Sequence, residues 1–511
     1  MSDDAEDRPE PRHRFRFADT LLPLVGLTAL APALGRMGFR VADTVTYRYP
    51  LEWMEGGTLD VARRLADGDS FYTTPSFEYV PYLYAPLYYE LVGVLYQLGA
   101  ESLPALRAVS VIATLASAGL LYRWAREFCR PGHAIFAPAL FLALFELTGR
   151  WFHIARTDMV ALGWLLLAAY GLKAGTRPIA AVLTGVAIAL AVFTKQSSLL
   201  ALAPLLAYPA LAGRRRLGLI AGAAAALTAG ALAAAYASTS DGWFLYFVVA
   251  LPSAHRYDFG GAATYLASHL LSLVPLLALG LLAGRRKPRN ERVYLALAAS
   301  GFLLQAFVGL AHTGGFDNVL LPGAAVLSLL GALGLGNPPN PQDGESIARS
   351  STRRWGQTLR YGPLGLVVVQ GALLFALAPP MATPRDPTQF EQFLDDAAPV
   401  FHPDLRGVAE GAGLGMAARD VLRAPPADPG RTILEGSLRR ELEARPYRAV
   451  LLSQEIYFPE GLVPHYCPVG PIAFAPEPII GAAFAPRYLW LPRTAPELTT
   501  RAGSFRCREG L

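Results

Sequence analysis

The chain alternates between long apolar runs and short basic or aromatic connectors. LGLIAGAAAALTAGALAAAYA (217–237) and YGPLGLVVVQGALLFALAPP (361–380) reach the ~20 apolar residues that cross a bilayer as helix. Comparable runs at roughly 19–38, 103–123, 131–149, 157–173, 178–194, 197–213, 263–284, 291–311 and 318–336 predict further spans. YLYAPLYYELVGVLYQLGA (82–100) is apolar too, but it carries Pro86, Glu90 and many tyrosines. Tyrosine favours the headgroup level, so this segment is predicted to lie in the interface as a short helix.

That choice sets the orientation. With 82–100 left out, about eleven spans remain, and the basic groups RPEPRHRFR, YRWAREFCR, KAGTR, GRRR, GRRKPRNER and ARSSTRRWGQTLR share one side. By the positive-inside rule that side is cytoplasmic; counting 82–100 as a span would turn the later loops the wrong way. The expectation is a multi-pass protein of the plasma (inner) membrane. It has a cytoplasmic tail at 1–18, a membrane module at 19–336 with a first outer loop at 39–102, a cytoplasmic linker at 337–360 and a last span at 361–380. The first apolar run lacks a convincing small-residue cleavage site and is expected to remain as a span.

Composition agrees. Of 511 residues, 53% are hydrophobic and 17% charged, against about 25% charged in soluble domains. The net charge of +5 is spread along the loops and implies no nucleic-acid partner. From residue 381 onward prolines and charges rise and no span follows. SLRRELEARP reads as a helix and YRAVLLSQEIYF (447–458) as a buried strand, so 381–511 is expected to form a small extracytoplasmic α/β domain. GVAEGAGLGMAARDVLRA reads as a strand-turn-helix piece whose glycines do not fit a dinucleotide fingerprint. Of three cysteines, Cys129 falls in a basic loop; Cys467 and Cys507 are either a disulfide or two free thiols.

In this orientation polar groups gather on the outer side. EWMEGG opens the first loop with Glu52 and Glu55, and Asp60 and Glu78 follow. GRWFHIARTDM (149–159) brings His153, Arg156 and Asp158, and FTKQSS (193–198) brings Lys195 and Gln196. The loop at 241–261 brings His255 and Arg256, and AHTGGFDNVLLP (311–322) brings Asp317 and Asn318. Acids set among Lys, Arg and His at span ends suit a site that handles an anionic lipid headgroup and activates a hydroxyl. Each has a plainer reading: Lys195 as a snorkelling anchor, His255–Arg256 as a solvated loop, Arg156 and Asp158 as the edge of a span, one of the two glutamates as a helix-surface charge.

The order of these motifs resembles the GT-C superfamily of polyprenyl-phosphate-sugar glycosyltransferases. The nearest likeness is to glycosyltransferase family 39 and its relatives, the protein O-mannosyltransferases and aminoarabinose transferases. EWMEGG, YAPLYYELVGVLYQLGAESLPALRAVS, ARTDM, FTKQSSLLALAPLL and GGFDNVLLP carry it, over roughly residues 15–335. The resemblance implies transfer of a sugar from a polyprenyl-phosphate donor to a hydroxyl of a protein, glycolipid or polysaccharide. It implies a first-loop acid as general base, Glu55 by position in the motif with Glu52 next, and Asp158 assisting. Lys195, Gln196, His255, Arg256, Arg156 and Tyr84 would meet the lipid phosphate, and Asn318 and Asp317 the sugar or acceptor.

The sequence also departs from that pattern. Aminoarabinose transferases carry a metal-binding Glu and a phosphate-binding Lys before two prolines; here the positions read Leu83-Tyr84-Ala85-Pro86. Tyr84 remains as a donor to phosphate; no cofactor is assigned, and a divalent metal stays an open alternative, with Glu78 replacing the lost acid only if the loop folds differently. Two other classes of membrane protein compete with this reading. A flippase or transporter calls for midplane charges, broken helices or inverted repeats, and no such repeat stands out. An O-antigen-type polymerase or ligase relies on outer-loop arginines and a diphosphate donor, which the acidic first loop argues against.

Overall fold

The computed structural model describes residues 17–284, 287–335, 353–380, 382–402, 418–444, 447–452, 464–476, 479–480 and 488–508. Every predicted apolar run is helical over part or all of its length. In chain order the first helices are α1 (Phe17–Thr44), α2 (Glu55–Ala66), α3 (Leu87–Gln97), α4 (Leu103–Ala125), α5 (Pro131–Ala134), α6 (Phe136–Ala143), α7 (Asp158–Ala174), α8 (Pro178–Thr194), α9 (Ser198–Leu205), α10 (Tyr208–Leu211) and α11 (Arg215–Thr239). The helices Phe259–Ala283, Arg289–Ala311, Leu321–Leu335 and Arg353–Ala376 follow. Among the described residues, five helices are long and apolar enough to cross a membrane: α4, α11, Phe259–Ala283, Arg289–Ala311 and Asp317–Leu335.

The 82–100 segment does not form a membrane-length helix. Its helix α3 has 11 residues, about 16 Å at 1.5 Å per residue, half of a ~30 Å hydrocarbon core. Helices close tightly where glycine faces backbone. A β-carbon at Gly185 of α8 would run into the Ala221 carbonyl of α11, and one at Gly334 into the Leu279 carbonyl.

Besides the break of the predicted 197–213 span into α9 and α10, the structure departs from the predicted segments in two places. Residues 131–149 are not one helix: α5 and α6 end at Ala143, and 144–157 run as turns. Gly149 and Arg150 are both left-handed, each with φ of 70°, which no α-helix can continue through. Most of this irregular stretch is nonetheless buried, so its backbone groups need partners. The Ser110 and Thr114 hydroxyls of α4 donate to the Ile154 and Phe152 carbonyls, each at 2.6 Å. The second departure is at the linker: the last long helix starts at Arg353, so the end of the predicted 337–360 linker is helical. Its RRWGQTLR stretch, 353–360, holds three Arg, a Gln and a Leu among eight residues and carries the helix back from the apolar run. The remainder, through 352, lies outside the described residues.

The C-terminal region holds a mixed sheet of β1 (Val400–Phe401), β2 (Ala449–Leu452), β3 (Tyr466–Pro471) and β4 (Tyr488–Pro492), in the order β1-β2-β4-β3. β1 and β2 are parallel, with Val400 opposite Ala449; the other pairs are antiparallel. β5 (Glu497–Thr500) and β6 (Gly503–Arg506) form a separate hairpin. β2 is the start of the predicted strand, whose remainder lies outside the described residues. The predicted SLRRELEARP helix is Pro429–Ala444, which buries Leu434, Leu438 and Leu442 at four-residue spacing. Of GVAEGAGLGMAARDVLRA, only the final helix Ala418–Arg423 is described. Cys467 of β3 and Cys507 form a disulfide.

The C-terminal region packs on the end of the bundle that carries the first loop. The Ile479 and Ile480 amides donate to the Leu51 carbonyl at 2.9 and 3.0 Å. The Phe77 amide donates to Ser437 Oγ at 3.0 Å, and the Tyr246 hydroxyl to Asp428 at 2.5 Å. Leu51 immediately precedes Glu52, so this docking holds the first-loop acids in place.

Candidate active site

EWMEGG folds as a turn leading into α2, with the Glu55 amide donating to the Glu52 carbonyl at 3.0 Å. Both carboxylates are 0% exposed, yet their surroundings differ. Glu55 Oε1 accepts from Arg107 Nε at 2.9 Å and the Ala155 amide at 2.6 Å. Its Oε2 accepts from Arg107 Nη2 and the Leu51 amide, both at 2.7 Å. Its capacity of about four lone-pair sites is thus filled. Arg107 in turn donates to the carbonyls of Tyr47 and Tyr49. The pair ties α4, the start of the first loop and the buried 144–157 loop together. Burial works to raise the Glu55 carboxyl, but Arg107 and the two amides hold it below the usual range.

Glu52 is in the opposite state. Its Oε2 accepts from the Met54 amide at 3.0 Å and Arg156 Nη1 at 3.3 Å, while Oε1 is buried without a hydrogen-bond partner. Burial pushes this carboxyl up to about 7; the Glu55 and Asp158 charges add to that, and Arg156 and the Met54 amide oppose it. Arg156 is also buried and donates to the Tyr84 hydroxyl at 3.0 Å. Its guanidinium lies over the Tyr84 and Trp151 rings, 5.2 and 5.6 Å from their centroids. His153, bonded to Thr44 at 2.8 Å, is pushed down to about 4 by burial and stays neutral at pH 7.

Asp158 opens α7, and its Oδ1 accepts from Lys195 Nζ at 2.6 Å and Asn318 Nδ2 at 2.8 Å. Oδ2 has no hydrogen-bond partner. Lys195 ends α8, where the chain turns extended. Gln196 beside it braces the aromatic end of the first loop: its Nε2 donates to the Leu83 carbonyl at 2.7 Å and its Oε1 accepts from the Ala85 amide at 3.4 Å. Asp158, Lys195, Ser198, Gln305 and Asn318 line a cavity of about 20 Å³, enough for one water molecule.

No family model matches this chain, and no curated protein matches it. Solved structures do. ArnT from Cupriavidus metallidurans bound to undecaprenyl phosphate aligns over 93% of this chain and 97% of its own, with a TM-score of 0.57 and 14% sequence identity. The same protein in the apo state aligns over 92% and 97%, with a TM-score of 0.56 and 13% identity. The chain has the GT-C fold.

Within that fold the structure brings the first-loop glutamates, Arg156, Asp158, Lys195, Gln196, Tyr84 and Asn318 into one neighbourhood. Other candidates do not join them. His255 is half-buried, with its ring 5.0 Å from that of His312, and burial with nearby Arg423 lowers its pKa. The Arg256 side chain is exposed and its carbonyl accepts from the Thr313 amide at 3.0 Å. Asp317 accepts from the Tyr265 hydroxyl at 2.5 Å. Asp60 pairs with Arg63 of its own helix at 3.0 Å, and Glu78 is exposed. Among the described residues no three His, Cys, Asp or Glu side chains cluster as metal ligands would. The residue that the motif reading missed is Arg107; its signal was a single charge inside the otherwise apolar first turns of α4.

Proposed function

We propose that this GT-C chain is an integral-membrane glycosyltransferase. It moves a sugar from a polyprenyl-phosphate donor to a hydroxyl of a protein, glycolipid or polysaccharide acceptor, with Glu52 as general base. The observation that carries the assignment is the buried, unpartnered Glu52 Oε1 on a carboxyl pushed up to about 7. Such a group is poised to take a proton near neutral pH. Glu55, favoured by its place in the motif, has no lone pair left for that task.

In the proposed reaction Glu52 takes the acceptor O–H proton as the hydroxyl oxygen bonds to the anomeric carbon. The bond between that carbon and the phosphate oxygen breaks, and the electron pair leaves on the polyprenyl phosphate. Lys195 and Arg156, with the Tyr84 hydroxyl, offset the charge growing on the leaving phosphate. Asp158 and Asn318 orient Lys195 and help to seat the sugar. The reading places about eleven spans in the membrane, with this site and the 381–511 region on the extracytoplasmic face. Two features support that sidedness: the grouping of basic loops and the Cys467–Cys507 disulfide, a bond typical of oxidising compartments.

The test is sugar transfer by purified protein from a panel of undecaprenyl-phosphate sugars to water or an acceptor. Turnover with at least one donor, lost in Glu52→Gln, is the expected result. Lipid-linked sugar crossing liposome membranes without any turnover would replace the enzyme reading with a flippase.

A further inference from the structure

A second cluster of charge lies at the end of α1, apart from Glu52 and Asp158. Arg36 and Arg40 sit one turn apart on α1, and Arg150 follows Gly149 in the buried loop. Glu146 serves two of them, Arg36 Nε at 2.9 Å and Arg150 Nε at 3.1 Å. Arg40 has no carboxylate within ion-pair distance among the described residues. It is 1% exposed. One of its nitrogens donates to the Ala382 carbonyl, but Nε and Nη2 are buried without a hydrogen-bond partner. Arg36 also donates to the Pro379 carbonyl, and Arg150 Nη1 to the Ile479 carbonyl at 3.4 Å. Asp43, on the next turn, is exposed and pairs with none of the three.

Glu146 and Asp43 favour the Arg40 charge through space, Arg36 and Arg150 oppose it, and neither carboxylate takes up its unused donors, which are costly to bury unless an anion shares the site. Guanidinium groups present paired N–H donors that match phosphate oxygens two at a time. We propose that Arg36, Arg40 and Arg150 form a binding site for a phosphate-type oxyanion, separate from the reacting centre. The site lies against the Pro379 and Ala382 carbonyls, past the end of the last long helix, at the depth of lipid headgroups in the proposed topology. The phosphate comes either from an anionic headgroup or from solution, and the chemistry of recognition is the same. This inference does not depend on glycosyl transfer.

The experiment uses the full chain in phosphatidylcholine nanodiscs, followed by thermal unfolding. One arm titrates inorganic phosphate at constant ionic strength with chloride. The other replaces part of the lipid with phosphatidylglycerol. A rise in melting temperature in either arm is expected, and the responding arm identifies the source. Arg40→Met is expected to weaken the response at least tenfold, and the part-exposed Arg36→Gln severalfold. No response in either arm overturns the proposal. So does a response undiminished in Arg40→Met, or, if that variant does not fold, in Arg36→Gln.

Discussion

Glu52→Gln separates chemistry from stability. The folded carboxyl titrates at about 7 against an ordinary 4.5, so the native state holds its proton more tightly than the unfolded chain. For a raised acid, the contribution to stability is fully present below the unfolded value and is lost as pH rises through the folded one. From 4.5 to about 7 the loss amounts to about 3 kcal/mol, complete by roughly pH 8. Glutamine keeps the shape and cannot ionise. The variant is expected to melt at or above wild type at pH 8 and to lose the decline between pH 5 and 8. Sugar transfer is expected to fall by about 10²–10⁴-fold, the usual weight of a general base. In wild type, kcat/KM should rise as pH passes 7 and flatten above it. The assays are melting curves and transfer rates across pH 5–9 on one detergent-purified preparation. Glu52→Gln that retains transfer within a few-fold, or wild-type stability that climbs through that pH window, would refute the assignment.

Glu55→Gln breaks the pair with Arg107 and leaves that guanidinium buried without its counter-charge. A loss of about 3–5 kcal/mol is expected, read as a lower melting temperature; unchanged melting would remove Glu55 as the tie between α4 and the 144–157 loop. Lys195→Met strands the buried Asp158 carboxylate and removes a cation from the leaving phosphate, so transfer should drop by about 10²-fold or more, measured at saturating donor. Tyr84→Phe loses the 3.0 Å bond from Arg156 and should weaken donor binding about fivefold, near 1 kcal/mol, read from KM. Cys467→Ser opens a crosslink that closes a 40-residue separation; a loss of about 4 kcal/mol is expected within the C-terminal region, visible as faster proteolysis there while the helical bundle stays protected.

Much of the helical framework was legible because apolar length is a local property. Runs such as 217–237 and 291–311 announce themselves by composition alone. The tyrosines and Pro86 of 82–100 argued for a short helix in place of a span, and α3 has 11 residues. Asp158, Lys195 and Asn318, each singled out from its own polar motif, are in hydrogen-bond contact in the structure. Local pattern also marked the helix at Pro429–Ala444 and the start of β2.

What sequence left open were matters of pairing. Glu52 and Glu55 are chemically alike and three positions apart, and nothing near them distinguishes a base from a structural anchor. The difference comes from Arg156, 104 residues from Glu52, and Arg107, 52 residues from Glu55. Hydropathy read 131–149 as one span because it does not register the α4 hydroxyls that bond the irregular 144–157 backbone. The cysteines allowed either state until β3 and the chain end set their Cα atoms 5.6 Å apart. Segment composition decides which stretches leave water, and the sequence carries that by itself. Which buried charge finds a partner depends on a few ångströms between distant segments, and only the tertiary structure decides it.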